Sequence, residues 1–411
     1  MRPTRRHLLS LGASLVLAAC AHVPSPSPSP SSPPAGGPAQ GTPPLRGTGD
    51  LGLVIERASG SVQLVEHSGR SALARITGLG DLSHAHVVFS RDGRYAYVFG
   101  RDGGLTKVDL LEARIDARVI QAGNSIGGSI SQDGRLVVAQ NYSPGGIRVF
   151  DARTLTPIAD IPAEYAPGQV SRVVGLADLP DQRFAYALFD GNEIWVTDLS
   201  DPAHPSTTRY PAGRQPYDGL ATPDGRYFLA GLFGEEGVSL LDLWHPERGS
   251  RKILTDYGQG HEKLPVYKMP HLRGWAQAGG EIWLPGVGRH ELLAVDARSW
   301  QQTARIPLLG QPVFAMARPD GRQIWVNFAF PDNDWVQVID TDTRQVIHSF
   351  SPGKAVLHME FTPRGDEVWI SARDSHEVRV MSTRDFSPRA RLPAQSPSGI
   401  FFGHRGQRIG M

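Results

Sequence analysis

The sequence predicts an all-β fold, an eight-bladed β-propeller whose blades are four-stranded antiparallel sheets. Seven complete copies of one pattern indicate it: an apolar strand, a turn such as Pro-Asp-Gly-Arg, an aromatic-rich strand, a polar loop, and a strand that usually ends in Asp. The copies recur every 41–55 residues roughly, the spacing of propeller blades. The 46 Gly and 33 Pro among 411 residues also favour short strands joined by turns over long helices.

The copies follow one another along the chain from residue 46 onward. Within each copy apolar and polar residues alternate with the period of a strand, as from Gln323 to Asn327. The turns between the first two strands of the copies are marked by Gly93, Gly134, Gln182, Gly225, Gly280, Gly321 and Gly365. The regular spacing of these turn residues predicts one compact hairpin per blade.

The eighth blade is predicted to combine both ends of the repeat region. Three strands near residues 51–56, 61–66 and 72–76 do not complete a blade, and neither does a last strand at residues 398–402. Together they form one blade with the C-terminal strand innermost, and this pairing leaves no open sheet edge in the ring. The alternative is a seven-bladed ring with residues 51–76 as an appendage.

Residues 1–20 have the features of a bacterial lipoprotein signal peptide. A basic segment that includes Arg5 and Arg6 precedes an apolar stretch too short to span a bilayer, and Leu-Ala-Ala-Cys20 resembles a lipobox. We expect a periplasmic protein anchored through diacylated Cys20, and Ala21 in place of Asp favours the outer membrane. An ordinary signal peptide is the alternative. The Arg pair leaves both general secretion and twin-arginine export open.

Residues 21–45 are rich in Pro and Ser and predict a semi-extended tether, so residues 46–411 form the propeller. The single Cys excludes an internal disulfide and a multi-Cys zinc site. Without a Cys-x-x-Cys-His motif the chain cannot hold a covalent c-type heme. The net charge of +1 gives no reason to expect nucleic acid as a partner.

Antiparallel order places the Asp-Gly turns on one face of the ring, here called the turn face. The loops between the second and third strands of each blade, and the connections between blades, then share the opposite face, the loop face. These loops are longer and richer in cations and imidazoles, and ligands of closed β folds bind at such mouths. The candidate ligand-binding residues of this face are His84, His86, Arg101, Arg172, Lys268, His271, Arg273, Arg289 and Lys354.

As a group these cations predict a polyanionic ligand whose carboxylates are gripped by Arg side chains. His84 precedes an innermost strand and is the candidate axial iron ligand. His358, which also lies near an innermost strand, and Asp218 beside Tyr217 join His84 as candidate catalytic residues. For any single residue, a solvated loop position is the alternative.

Several stretches resemble the NirF family, the periplasmic propellers of heme d1 biosynthesis. The segment SRDGRYAYVFGRDG, residues 90–103, is also similar to the d1 domain of cytochrome cd1 nitrite reductase. The resemblance to NirF is carried by residues 45–60, 97–110, 215–244, 264–276, 287–291, 310–334, 352–365 and 396–402. It therefore extends over nearly all of the chain after the tether.

The resemblance implies a siroheme-derived iron tetrapyrrole, heme d1 or its didecarboxysiroheme-type precursor, on the propeller axis. It implies a part in late side-chain modification, by propionate oxidation or removal, with other heme d1 pathway proteins and cytochrome cd1 nitrite reductase as partners. A non-catalytic carrier or scaffold that delivers the tetrapyrrole is the alternative. His84 falls close to the proximal histidine of the reductase, and an offset of about two residues leaves His86 as its rival.

A different class of function, a propeller that docks proteins and binds no tetrapyrrole, predicts an apolar patch on one face and no converging cations. A dinucleotide site at Gly123–Gly128 is not expected, because its glycine run lacks the strand–helix context that such a motif requires.

Overall fold

A computed structural model of the chain describes residues 47–257, 274–286 and 288–407. In these residues the strands form eight four-stranded antiparallel sheets and one small two-stranded hairpin, which confirms the predicted eight-bladed propeller. The predicted signal peptide and tether lie outside the described residues. No helix in the described residues has the length and apolar character needed to cross a bilayer.

Blade 1 is built from both ends of the repeat region, as predicted. Its strands, from the axis outwards, are β34 (Pro397–Phe402), β1 (Leu51–Glu56), β2 (Ser61–Glu66) and β3 (Ser71–Ile76). Pairing of β1 with β34 places Leu53 opposite Phe401. The innermost strand of this blade is therefore the last strand of the chain.

The other blades each use four consecutive strands, from the axis outwards. Blade 2 contains β4 (His86–Phe89), β5 (Tyr95–Phe99), β6 (Gly104–Asp109) and β7 (Arg114–Ile120). Blade 3 contains β8 (Asn124–Ile130), β9 (Leu136–Ser143), β10 (Ile147–Asp151) and β11 (Pro157–Ile161), and the hairpin β12 (Glu164–Ala166) and β13 (Gln169–Val170) follows it. Blade 4 contains β14 (Val173–Leu179), β15 (Arg183–Leu188), β16 (Glu193–Asp198) and β17 (Ser206–Pro211).

The second half of the ring repeats this order. Blade 5 contains β18 (Pro216–Ala221), β19 (Tyr227–Leu232), β20 (Val238–Asp242) and β21 (Ser250–Ile253). Blade 6 contains β22 (Ala276–Ala278), β23 (Glu281–Gly286), β24 (Glu291–Asp296) and β25 (Gln302–Pro307). Blade 7 contains β26 (Pro312–Ala317), β27 (Gln323–Phe328), β28 (Val336–Asp340) and β29 (Gln345–Phe350), and blade 8 contains β30 (Val356–Phe361), β31 (Glu367–Ala372), β32 (Glu377–Ser382) and β33 (Pro388–Pro393).

The helical elements of the described residues are short 3-10 turns at Thr48–Asp50, Pro246–Arg248, Arg373–Ser375 and Gly403–Gln407. The last of these follows β34 and is called the C-terminal turn below. It lies at the turn face, because each innermost strand runs from the loop face to the turn face.

The hydrophobic core is divided into layers between neighbouring blades. Trp369 of blade 8, for example, packs edge-on against Phe402 of blade 1, with ring centroids 5.4 Å apart, and both side chains are buried. The Asp-Gly turns recur because they need a left-handed residue, which Gly93 provides with a φ of 69°. These layers fix the blades around the axis and so fix the residues that line it.

Candidate functional site

Four aromatic and imidazole rings on innermost strands form a row beside the axis, here called the axial rings. They belong to four successive blades of the ring: Phe314, His358, Phe401 and His86. The ring of Phe401 lies 5.4 Å from that of His358 and 5.9 Å from that of His86, and Phe314 lies 6.4 Å from His358. Regular strand pairing therefore brings together residues that are more than 300 positions apart in sequence, as His86 and Phe401 are.

The two histidines predicted near the start of β4 occupy different environments. His86 is its first residue and is half-buried, whereas His84 is exposed in the connection that precedes it. A narrow cavity of about 20 Å³ on the axis is lined by His86 together with Val87, Val88, Phe89, Arg91, Ile130, Asp178 and Arg405. His86 can be held this close to β8 because Gly127 lacks a side chain there: a Cβ on Gly127 would lie 3.3 Å from the Cβ of His86.

His358 is a neutral hydrogen-bond donor in this arrangement. Its Nδ1 accepts the backbone N–H of Ile400 at 3.2 Å, so the neutral ring carries its proton on Nε2. Burial, assisted by the positive charge of Arg405, lowers the pKa of His358 to about 4. Metal binding through Nε2 would require the proton to move to Nδ1 and would break the bond to Ile400.

A second group of side chains, the Arg-Tyr cluster, lies at the loop face and comprises Arg101, Tyr142, Arg172, Phe189 and Tyr217. The hydroxyls of Tyr142 and Tyr217 are 3.2 Å apart. Burial raises the pKa of both phenols. Both phenols are therefore neutral at physiological pH and provide polar O–H groups without adding negative charge.

The arginines of the cluster lie on its aromatic rings. The guanidinium of Arg101 is 5.8 Å from the centre of the Tyr142 ring, and that of Arg172 is 4.3 Å from the centre of the Phe189 ring. Phe189 also meets Tyr217 edge-on, with centroids 6.1 Å apart. The cluster thus combines positive charge with flat apolar surfaces, which suits a planar ligand that carries carboxylates.

Arg172 already has a carboxylate partner. Its Nη2 donates to Asp190 at 2.6 Å and its Nε donates to the same group at 3.0 Å. The guanidinium lowers the pKa of Asp190, and the carboxylate raises the pKa of Arg172. A ligand carboxylate would therefore share Arg172 with Asp190, and the pair already orients the guanidinium.

Asp218 and Tyr217 occupy an irregular point on β18. Asp218 has a φ of 60°, and the pairing of β18 with β19 shifts register between Tyr217 and Leu220. The backbones of Gly175 and Asp218 approach so closely that a Cβ on Gly175 would lie 2.0 Å from the carbonyl carbon of Asp218. The side chain of Asp218 accepts the N–H of Gly219 at 2.9 Å, a bond that holds the carboxylate beside the Arg-Tyr cluster.

The remaining predicted residues are less closely assembled. Arg289 is exposed and donates to the carbonyl of Asp256 at 3.2 Å, and Lys354 is exposed at the start of the connection into blade 8. Lys268, His271 and Arg273 lie outside the described residues. Their predicted roles therefore rest on the sequence alone.

Two residues of the site carried no individual signal in the sequence. Phe401 and Arg405 lie next to the axis but come from the end of the chain. Only the predicted closure of the ring could have placed them at the axis, because the last strand of the chain is the innermost strand of blade 1.

In the described part of the chain, no three His, Cys, Asp or Glu side chains converge in a group that could hold a metal ion. The donors present fit an iron tetrapyrrole in a different way. A half-buried imidazole on the axis provides a single nitrogen ligand, and the Arg-Tyr cluster provides cations and ring faces for carboxylates and a macrocycle.

The chain has close relatives among characterised proteins. Residues 46–406 match the family described as the cytochrome D1 heme domain. Protein NirF of Pseudomonas aeruginosa is 62% identical over 372 residues, which are 90% of this chain and 95% of that protein. Protein NirF of Stutzerimonas stutzeri is 61% identical over 371 residues, again 90% of this chain and 95% of that protein.

A solved structure supports the same assignment. The structure of dihydro-heme d1 dehydrogenase NirN in complex with DHE superposes with a TM-score of 0.77 at 27% identity, over 89% of this chain and 78% of that one. The match thus extends over almost the whole propeller. The chain belongs to the cytochrome D1 heme domain family and groups within it with the NirF proteins.

Proposed function

We propose that the protein binds heme d1 or its didecarboxysiroheme-type precursor at the loop-face end of the axis and takes part in its late side-chain modification. The observation that carries the proposal is that groups from four different blades converge: an axial imidazole, a neutral Nε2–H donor, and two arginines that stack on aromatic rings. Membership of the cytochrome D1 heme domain family and the relative solved with DHE support the same ligand class.

In this proposal His86 is the axial iron ligand. Its position on the axial cavity, half-buried at the start of β4, favours it over the exposed His84. A single neutral imidazole is a common protein ligand for the iron of such macrocycles. The bound macrocycle itself supplies the redox and electronic chemistry.

The other residues orient the ligand and control protons. Arg101 and Arg172 hold ring carboxylates, since guanidinium groups match carboxylates in geometry and charge. His358 donates its Nε2–H to a polar group of the ligand, and Tyr142 and Tyr217 provide neutral hydroxyls. Asp218, next to Tyr217, is the candidate acid or base for a side chain of the macrocycle.

A titration followed by absorbance tests the proposal. The purified propeller is titrated with ferric heme d1 and with the didecarboxysiroheme precursor, and the Soret band is recorded for wild type, His86→Ala, His84→Ala and His204→Ala. His204 is an exposed histidine paired with Asp201 and serves as the control. We expect the same shift of the Soret band on binding in the wild type, in His84→Ala and in His204→Ala. In His86→Ala we expect a Soret band at a different position from that of the wild-type complex.

The outcomes separate the possibilities. No Soret shift in the wild type contradicts the ligand class. A band altered by His84→Ala and not by His86→Ala assigns the iron to the other histidine. Conversion of precursor by catalytic amounts of protein supports the modifying role, whereas binding without turnover in the presence of an electron acceptor favours the carrier.

We also infer that the protein is periplasmic and anchored in the outer membrane through Cys20. The support is the predicted lipobox, whose cysteine is the only one in the chain. Two or three acyl chains give stable membrane attachment, because each buried CH₂ contributes about 0.8 kcal/mol. An anchored propeller would meet other heme d1 pathway proteins and cytochrome cd1 nitrite reductase on the periplasmic side.

A further inference from the structure

The C-terminal turn lies at the turn-face end of the axis and is hydrogen-bonded to its neighbours there. The carbonyl of Gly406 accepts a hydrogen bond from Nη1 of Arg91 at 3.1 Å. Arg91 also donates to the carbonyls of Ile130 at 3.1 Å and Ser131 at 2.8 Å. Gly406 lies so close to blade 2 that a Cβ would come within 2.7 Å of the carbonyl oxygen of Ser90. The turn is thus bound to blade 2, and Arg91 of that blade also bonds blade 3.

Arg405 of this turn forms a buried ion pair with Glu360 of β30. Its Nε donates to Oε1 at 2.7 Å, and its Nη2 donates to Oε2. The side chains are 13% and 3% exposed, respectively. Two charges removed from water in this way are held only when the geometry is close to ideal, so the pair fixes the guanidinium in one place.

The fixed guanidinium lies against the axial rings. It is 5.2 Å from the centre of the Phe401 ring, and Phe401 in turn contacts the imidazoles of both His86 and His358. Arg405 also lines the same axial cavity as His86. The chain of contacts therefore runs from Glu360 through Arg405 and Phe401 to the two imidazoles.

We propose that Arg405 is a positioning residue for the axial site. Paired with Glu360, Arg405 holds the ring of Phe401 in place from the turn-face side. Phe401 in turn sets the orientation of the His86 and His358 imidazoles. In this proposal Arg405 acts on the ligand through Phe401 and the two imidazoles, because the C-terminal turn lies at the turn face and the ligand is proposed to bind at the loop-face end of the axis. The proposal rests on the proposed function in one respect, because the affinity that it tunes is the affinity for the tetrapyrrole.

Two readouts test this role on the full propeller. Long-range ¹H–¹⁵N spectra of the ligand-free protein report the environment of each imidazole, and titration with ferric heme d1 reports affinity and the Soret maximum. The variants are Arg405→Ala, Arg405→Lys and Phe401→Leu. The control is Arg384→Ala, because Arg384 forms an exposed ion pair with Asp366 at 2.9 Å and lies outside the axial contacts.

We expect Arg405→Ala to shift the imidazole signals of His86 and His358 and to weaken heme d1 binding by about 10–100-fold, the usual effect of losing an outer-shell partner. Phe401→Leu should have the same effects, and combining the two changes should add little because they act on one chain of contacts. Arg405→Lys keeps the charge but not the two-nitrogen grip, so its affinity should be intermediate. Arg384→Ala should behave as wild type.

A folded Arg405→Ala protein with wild-type imidazole signals and wild-type affinity would overturn the proposal. If Arg405→Ala does not fold, Arg405→Lys decides: wild-type signals and affinity overturn it, and shifted signals with reduced affinity support it. If the wild type itself does not bind heme d1, the proposed function fails, and the ligand-free spectra still decide whether Arg405 positions the imidazoles.

Discussion

His358 remains neutral because of its surroundings, and this has a consequence for stability. Its folded pKa of about 4 lies below the usual value of 6.5, with Arg405 and Glu360 as the charged groups that act on it. Between these two pH values the unfolded chain binds more protons than the folded chain, so stability contributed by His358 rises with pH. It is present above pH 6.5 and is lost as the pH falls towards 4.

We predict that His358→Asn removes this part of the pH dependence. The Asn side chain does not titrate, and its carbonyl can still accept the N–H of Ile400. Between pH 7 and pH 4 the wild type should lose about 3 kcal/mol more unfolding free energy than the variant. Urea unfolding at the two pH values measures the difference, with His204→Asn as an exposed control. Equal losses in wild type and variant would contradict the assignment.

The Tyr142–Tyr217 pair makes a second prediction at the residue scale. Replacing either residue by Phe removes the hydrogen bond between the two half-buried hydroxyls, at an expected cost of about 0.5–1.5 kcal/mol in unfolding free energy. Replacing both should cost less than the sum of the single changes, because the lost contact is shared. Chemical denaturation of the four proteins measures the coupling. Additive losses would show that the 3.2 Å contact contributes nothing to stability.

Among the elements, blade 1, which closes the ring, contains a buried carboxylate. Glu56, at the end of β1, is fully buried and accepts hydrogen bonds from Arg75 at 2.6 Å, Ser61 at 2.7 Å and the backbone N–H of Gln395 at 2.9 Å. Burial alone would raise the pKa of Glu56, but the bonds from Arg75, Gln395 and Ser61 outweigh it and lower the pKa. The carboxylate thus joins three outer strands to the segment that leads into β34.

We predict that Glu56→Ala destabilises the propeller by about 1.5–3 kcal/mol, the usual contribution of hydrogen bonds to a charged group, because Arg75, Ser61 and the N–H of Gln395 lose their acceptor. Thermal unfolding measures the loss. Arg135→Ala is the control, because Arg135 is exposed and forms a surface ion pair with Asp133, and such surface pairs contribute about 0–1 kcal/mol. A loss in Glu56→Ala no larger than in the control would show that ring closure does not depend on this carboxylate.

The elements themselves were predictable and many of their side-chain partners were not. Repeat spacing and strand alternation indicated the blades, and the leftover strands indicated how β34 closes the ring. The same patterns could not distinguish His84 from His86, because that choice depends on where β4 begins. They also could not reveal the Arg172–Asp190 or Arg405–Glu360 pairs, because such pairs depend on how loops and blades pack in space.

For the whole molecule, the predicted anchor has a direct test. Cys20→Ser should release the protein from the membrane fraction and abolish incorporation of labelled palmitate, because the serine cannot form the thioether. Immunoblots of separated inner membrane, outer membrane and soluble periplasm follow the protein, with Cys20→Ser compared to wild type. Unchanged palmitate labelling or membrane attachment in the variant would contradict lipidation at this residue.

Closure by β34 also determines what a shortened gene product would lack. A premature stop after β33, which ends at Pro393, and before codon 397 removes the innermost strand of blade 1, together with Phe401 and Arg405. The product would retain all the strands of seven blades. Its β1 would face the axis without a partner strand, and the row of axial rings would lack Phe401. Late nonsense mutations should therefore behave as null alleles, although more than nine-tenths of the polypeptide is still made.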